Sequence, residues 1–280
     1  MDVGIGLPNT LSGVSGALML EWARRADAGP FASLGVFDRL RYDSYDPLIS
    51  LAAAAGATAR IGLATLIITG PLRNDAILAK QVASLDALAG GRLTLGVALG
   101  ARREDYDAAG VEYAARGRRL SEQLAALRTA WEDQAIGPRP ARPGGPPILV
   151  GGLNDSAYAR AARYADGYVH GGGPPRAFAA AAARARAAWA DAGRPGQPLL
   201  WAQGYYALGE EEAARGRAYM LDYYAFTGPF AERIAAGLLT TPQAIVQFVR
   251  GYAEAGCDHL VLFPAVAKIE QLERLAEIVG

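Results

Sequence analysis

Cysteine and histidine are both scarce in this sequence. Its 280 residues include one cysteine, Cys257, and two histidines, His170 and His259. A single cysteine excludes an internal disulfide and a cysteine-based metal cluster. Two histidines, with no helical histidine pair beside a carboxylate, also give little support for a metal enzyme, so we predict no metal site. No G-x-S-x-G segment occurs, so the sequence contains no nucleophile motif that would indicate a hydrolase.

The sequence also lacks an excess of charge and any long apolar run. Lys plus Arg and Asp plus Glu are 28 each, so the formal net charge is zero. A field near zero does not attract phosphate backbones or anionic lipids, and we expect neither nucleic acid nor a membrane as a partner. No apolar segment approaches the roughly 18 residues of a spanning helix, and residues 1 to 9 lack signal-peptide character. These features predict a cytoplasmic protein.

The segment from 60 to 100 carries the strongest pattern. Residues 61 to 69 are an apolar, β-branched run, which is typical of a strand buried on both faces. Apolar residues then recur at helical spacing between Leu78 and Leu88, and residues 93 to 99 form a second apolar run. Two buried strands joined by a helix predict a parallel βαβ unit, with functional residues at the carboxyl ends of the strands.

The same alternation continues along the chain and predicts a (β/α)8 TIM barrel in a single domain, residues 1 to 280. Closure would remove the exposed edges of a parallel sheet, although periodicity alone leaves an open sheet possible. Residues 133 to 147 contain five prolines and predict a surface loop, and residues 207 to 240 form an aromatic-rich insertion. That insertion would pack on the barrel, roof the pocket or meet a partner subunit. We predict strands over residues 3 to 7, 34 to 38, 61 to 69, 93 to 99, 147 to 150, 166 to 170, 199 to 206 and 259 to 263.

Glycines follow two of the later predicted strands. Gly151 and Gly152 follow the fifth, and Gly171 to Gly173 follow the sixth. Backbone amides freed by glycine near a helix amino terminus bind anions, and barrels commonly bind phosphate on the loops of their later strands. The pattern favours a planar, phosphorylated cofactor across the mouth of the barrel.

Six segments carry a family resemblance: GVFDRL (35 to 40), RIGLATLII (60 to 68), PLRNDAILAKQVASLDALAGGRLTLGV (71 to 97), GRRLSEQLAALRTAW (117 to 131), PPILVGG (146 to 152) and ADGYV (165 to 169). Together they resemble the bacterial luciferase-like flavin-dependent oxidoreductases, which include FMN monooxygenases and enzymes of the deazaflavin coenzyme F420. The resemblance implies a luciferase-like TIM barrel, a small organic substrate, a homodimer and a separate flavin reductase as a partner.

The resemblance also assigns site residues. Asp38 matches an acidic residue close to the ring in deazaflavin members, and Leu66-Ile67 matches a non-proline cis peptide that supports the ring. We expect catalytic roles for Asp38, Arg39 and His170, where Arg39 replaces a histidine that many members carry. The expected cofactor contacts are Asp38, Thr65, Leu66, Ile67, Gly151, Gly152, His170, Gly171 and Gly172.

Different residues of the predicted site favour different cofactors. Ala101 stands where sugar-phosphate-oxidising deazaflavin members carry a glutamate, which favours a monooxygenase with reduced FMN. The Asp38 match favours F420-dependent hydride transfer instead, and the missing histidine at Arg39 leaves a non-catalytic flavin-binding barrel as a third reading. A cofactor-free lyase or isomerase would need a Lys or Glu base at a strand end. Lys80 lies in a predicted helix and Lys268 beyond the last strand, so the usual Schiff-base lysine inside a strand is missing.

Overall fold

Eight parallel strands close into one barrel, in the order β1 to β8. The computed structural model describes residues 1–133 and 136–280. The strands are β1 Asp2–Gly6, β2 Ser33–Val36, β3 Gly62–Thr69, β4 Leu93–Ala98, β5 Ile148–Gly151, β6 Gly167–His170, β7 Leu199–Tyr206 and β8 His259–Pro264. Each overlaps the strand predicted for it, so the predicted barrel is confirmed.

Helices cover the outside of the barrel, and polar side chains begin several of them. Asp46, Asn74 and Asn154 each accept hydrogen bonds from backbone N–H groups in the first turn of the following helix, where intrahelical partners are missing. The helices are α1 Gly16–Ala28, α2 Pro47–Ala57, α3 Asp75–Leu88, α4 Arg103–Ala109, α5 Arg116–Glu132, α6 Asp155–Tyr164, α7 Pro175–Asp191, α8 Glu210–Tyr223, α9 Phe230–Ala235, α10 Pro242–Glu254 and α11 Ile269–Val279. Across the described ranges, no helix is long and apolar enough to cross a membrane.

The two irregular segments predicted from the sequence both interrupt the simple repeat. Of the proline-rich loop at 133 to 147, residues 134 and 135 lie outside the described residues, and 136 to 147 contain neither helix nor strand. The aromatic insertion at 207 to 240 forms α8, a short 3-10 turn and α9.

Strand alternation divides the core into two layers. Side chains on the outer face, such as Tyr168, pack with the helices in a large apolar cluster. Side chains on the inner face, such as Val169 and Phe263, fill the barrel. Successive residues of a strand point to opposite faces, so this division tells which strand-end side chains can face the mouth.

His259 lies at the start of β8, at the end of the barrel opposite the mouth. Its ring is stacked on Trp201 with centroids 3.9 Å apart, and Nε2 lies 2.7 Å from the Ser33 hydroxyl oxygen. Burial lowers its pKa to about 4, and the nearby Asp2 carboxylate only partly opposes that shift. The imidazole is therefore a neutral structural group at pH 7.

The lowered pKa makes His259 a source of acid sensitivity. The unfolded chain takes up the proton near pH 6.5 and the folded chain only near pH 4. Its contribution to the free energy of unfolding is complete above pH 6.5 and falls by about 3 kcal/mol as the pH drops to 4. Urea unfolding of wild type and of His259→Asn across this range measures the difference. We expect a shallower pH dependence in the variant, and parallel curves would contradict this role.

Candidate functional site

The mouth of the barrel contains a break in the pairing of β3 with β4. The register shifts between Thr65 and Ile68. At the break the Thr65 hydroxyl donates to the carbonyl oxygen of Gly96 at 2.8 Å and accepts from the Gly96 N–H at 2.8 Å. A Cβ on Gly96 would lie 2.1 Å from the Thr65 carbonyl oxygen, so only glycine permits this approach. One side chain thus replaces the missing ladder bonds.

The two residues inside the break face different surroundings. The peptide bond between Leu66 and Ile67 is cis, as the resemblance implies. Leu66 is 1% exposed and belongs to the inner cluster, whereas Ile67 is partly exposed at the rim. Thr65 is fully buried and both functions of its hydroxyl are used by Gly96, so it supports the break and does not face a ligand.

Asp38 follows β2 and is committed to two protein partners. Its Oδ2 accepts from the Thr69 N–H at 2.8 Å and from Arg73 Nη1 at 2.6 Å, and its Oδ1 accepts from Arg73 Nη2 at 3.2 Å. Arg73 also reaches Asp46, the residue that caps α2, at 3.2 Å. This bidentate pair joins the ends of β2 and β3 beside the break. Asp38 therefore acts in the structure as a positioning group.

Arg39 points away from Asp38. Its Nη2 donates to Glu104 at 2.9 Å and its Nη1 to the carbonyl oxygen of Tyr223 at 3.2 Å. The guanidinium also lies over the Tyr42 ring, 4.2 Å from the centroid. Arg39 thus connects the end of β2 to α4 and to the aromatic insertion.

His170 lies on the outer face of β6, between the strand and α7. Its Nδ1 is 3.3 Å from the Tyr168 hydroxyl, and its ring centroid is 5.9 Å from that of Phe178. Burial lowers its pKa, so the ring is neutral near pH 7. Nε2 is buried and has no hydrogen-bond partner in the described part of the chain. Because Val169 is the residue that faces the barrel interior, His170 is placed beside the glycine turns and away from the inner cluster.

The glycine turns after β5 and β6 are the open part of the rim. Gly152 has a φ of 144°, and a Cβ there would lie 2.5 Å from the Ala157 Cβ; the Tyr168 hydroxyl donates to its carbonyl oxygen at 2.8 Å. A Cβ on Gly171 would meet nothing within 4 Å, so its backbone borders open space. These turns lead into α6 and α7, and the unpartnered His170 Nε2 lies beside them. The backbone amides of these two turns fit a phosphate group, with the His170 ring beside them.

The insertion covers the other half of the mouth, above β7, β8, β1 and β2, and its Tyr223 and Phe226 extend to Arg102 after β4. The Phe37 and Phe263 rings are stacked with centroids 3.7 Å apart, and the Tyr205 hydroxyl lies 2.8 Å from that of Tyr224. The Tyr219 hydroxyl lies 2.7 Å from that of Thr10 in the loop after β1. Of the three sequence options for this insertion, the structure shows it packed over the barrel. The rim from the end of β3 to the end of β6, the open half of the mouth, carries the break and the glycine turns, and Gly171 there borders open space.

The sequence prediction left out Gln203 as a site residue. Gln203 alternates with Trp201 and Tyr205 on β7 and therefore faces the mouth, where it is 7% exposed and donates to the Gly171 carbonyl oxygen at 3.2 Å. A polar residue between two aromatic inward positions of a strand is a signal that could have found it.

A cavity of about 390 Å³ lies at the end of the barrel opposite the mouth, between Arg128, Asp166 and Arg194. Residues 1–133 and 136–280 contain no group of side chains suited to a metal ion.

Comparison with known sequences gives a consistent family. A family model described as luciferase-like monooxygenase matches residues 1–259. An uncharacterized protein of Mycobacterium tuberculosis is 40% identical over 140 residues, which are 45% of this chain and 48% of that protein. The chain spans about half the length of the curated relatives it matches.

Solved structures with the same fold include enzymes of both cofactor types. The monooxygenase RslO1 from Streptomyces bottropensis superposes with a TM-score of 0.80 at 21% identity, covering 99% of this chain and 97% of that chain. An F420-dependent secondary alcohol dehydrogenase, in complex with an F420-acetone adduct, gives 0.81 at 17% identity, with 99% and 98% covered. The oxygenating constituent of 3,6-diketocamphane monooxygenase from Pseudomonas putida, in complex with FMN, gives 0.72 at 18%, with 94% and 91% covered.

The break in β3 depends on the hydroxyl of Thr65. Thr65→Val keeps the shape but leaves the Gly96 N–H and carbonyl buried without partners, and we expect a loss of about 3 kcal/mol in the free energy of unfolding. Thr65→Ser keeps the hydroxyl and is the matched control, with an expected loss of about 1 kcal/mol for one methyl group. Urea unfolding measures both. Equal losses in the two variants would show that the hydroxyl does not stabilise the break.

Proposed function

We propose that this chain, which belongs to the luciferase-like monooxygenase family, binds FMN in the open half of the barrel mouth and oxidises a small organic substrate with oxygen. The observation that carries the proposal is the juxtaposition on one rim of the β3 break and the two glycine turns. Ile67 is partly exposed and lies close to Gly151, where an added Cβ would be 3.5 Å from its Cγ2. Gly171, at the end of the neighbouring strand β6, borders open space.

The described residues would divide the binding of FMN between an apolar and a polar part. Leu66 and Ile67 would support the ring. The backbone of Gly152, Gly171 and Gly172 would hold the phosphate, with His170 Nε2 as an added hydrogen-bonding atom. Reduced FMN supplies the electrons when it is bound.

The remaining site residues would orient and exclude solvent. Asp38 and Arg73 fix the ends of β2 and β3, so the surface beneath the ring is set before a ligand arrives. The rings of Tyr205 and Tyr223 are buried, that of Tyr224 is partly exposed, and together they would keep water away from the covered half of the mouth. In this proposal no proton transfer is assigned to His170, because its ring lies on the outer face of β6.

A second candidate is hydride transfer with F420. Asp38 favours it, because it matches the acidic residue that lies close to the ring in the deazaflavin members that this chain resembles. The F420-dependent dehydrogenase named above also shares the fold. A third candidate, a flavin-binding barrel without turnover, is favoured by the aromatic side chains that fill half of the mouth.

Titration with each cofactor separates these candidates. We expect FMN to bind with quenching of its fluorescence, and we expect the protein to consume oxygen when reduced FMN is supplied with substrate candidates. Tighter binding of F420 and no oxygen uptake would replace the first candidate by the second. Binding of FMN without any turnover would favour the third, and binding of neither would end the proposal.

The glycine after β6 offers a test that leaves the fold intact. Gly171→Val places a side chain in open space, whereas a side chain at Gly152 would strike Ala157 and destabilise α6 for reasons unrelated to a ligand. If the Gly171 backbone approaches phosphate, Gly171→Val lowers FMN affinity by about tenfold or more, the value of one charge-assisted hydrogen bond.

Gly56→Val is the matched control for this variant. Gly56 lies in α2, far along the chain from the glycine turns, and a Cβ there also meets nothing within 4 Å. Fluorescence titration of both variants gives the two dissociation constants. Equal affinities would remove Gly171 from the phosphate site.

A further inference from the structure

Two arginines above the broken end of β3 donate to the same backbone oxygen. Arg39 follows β2 and Arg102 follows β4, and β3 lies between these strands in the barrel. Arg39 Nη1 lies 3.2 Å from the carbonyl oxygen of Tyr223, and Arg102 Nη2 lies 3.4 Å from it. A neutral carbonyl at the end of α8 thus serves as acceptor for two full positive charges.

Neither guanidinium has all of its donors satisfied. The Nε atoms of Arg39 and Arg102 are both buried without a hydrogen-bond partner among the residues described. The Arg39 side chain is only 9% exposed, so water does not readily replace the missing acceptor. A buried donor without an acceptor carries a cost of about 1 to 3 kcal/mol, more for a charged group, which an anionic ligand would remove.

Across residues 1–133 and 136–280, the two guanidinium groups have one carboxylate partner between them. Glu104 pairs with Arg39 and is itself 42% exposed. Arg102 has no carboxylate partner within the described ranges; its guanidinium carbon lies 4.6 Å from the Tyr223 ring centroid and 4.4 Å from that of Phe226. Asp38, the residue before Arg39, is already paired with Arg73. Arg102 is therefore a cation without a described carboxylate partner, placed beside two aromatic rings.

We infer that this rim binds a small organic anion, and that the substrate of the proposed reaction carries a carboxylate or a phosphate. Its oxygens would accept from the unpaired Nε atoms and from the Nη atoms that now donate to the Tyr223 carbonyl, since planar guanidinium groups match both anions. The aromatic rings of Tyr223 and Phe226 would contact its apolar part. The inference rests on the proposed function, because it names the substrate class of that site.

The experiment uses the FMN-loaded protein, so that the glycine turns are already occupied. Sodium acetate and sodium phosphate are titrated separately by calorimetry at constant ionic strength. We expect wild type to bind at least one of them, and Arg102→Gln to bind it at least about tenfold more weakly. Stronger binding of acetate assigns a carboxylate substrate, and stronger binding of phosphate assigns a phosphomonoester.

Arg103→Gln is the matched control, because it removes the same charge from the adjacent residue. Arg103 is exposed, and its guanidinium lies over the Tyr113 ring at 4.7 Å, away from the Tyr223 carbonyl. We expect it to bind within twofold of wild type. Arg102→Lys keeps the charge without the planar geometry, and we expect intermediate affinity; it also replaces Arg102→Gln if that variant does not fold.

Three results would overturn the inference. Wild type would bind neither anion, or Arg102→Gln and Arg103→Gln would weaken binding equally, or Arg102→Gln would weaken FMN affinity while anion affinity stayed unchanged. The last result would assign Arg102 to the cofactor and leave the proposed function standing. Failure of wild type to bind FMN or F420 would end the proposed function, and titration of the unloaded chain would still test the arginines.

Discussion

The two hydrogen bonds between Thr65 and Gly96 hold the mouth of the barrel in its shape. They satisfy the backbone of β4 where β3 leaves the ladder, and β3 resumes pairing at Ile68. Because pairing resumes there, the Thr69 N–H is placed to donate to Asp38, and Arg73 completes that carboxylate. Leu66 enters the inner cluster and Ile67 reaches the rim in the same few residues. The candidate ring surface is therefore a product of local backbone geometry that the barrel fixes in advance.

The two halves of the mouth do different work. Over β7, β8, β1 and β2, aromatic side chains from the strands and from the insertion exclude solvent from this half of the mouth. Between β3 and β6 the rim carries the β3 break and the glycine turns, and Gly171 borders open space. Arg39 and Arg102 stand where the halves meet, since both contact the end of α8. Charge interactions are stronger where solvent is excluded, so they are strengthened at the edge of the covered half, where an anionic substrate would be oriented.

Features written in the backbone were predictable from the sequence. Apolar runs and glycines predicted the eight strands and the turns at Gly151 and Gly171, whereas the break at Leu66-Ile67 was implied by the family resemblance. Contacts between distant residues were not predictable in this way. Arg73 had no sequence signal pairing it with Asp38, 35 residues away, and the Tyr223 carbonyl is 184 residues from Arg39. Strand alternation did contain one further signal, because an inward Val169 places His170 on the outer face.

The central claim is that the open half of the mouth holds a flavin, with its ring on the β3 break and its phosphate on the glycine turns. A crystal structure of the protein grown with FMN tests it most directly. The account predicts electron density for the ring against Ile67 and for the phosphate beside Gly152 and Gly171. Density for FMN at any other place, or side chains filling this half of the mouth in the presence of saturating FMN, would contradict it.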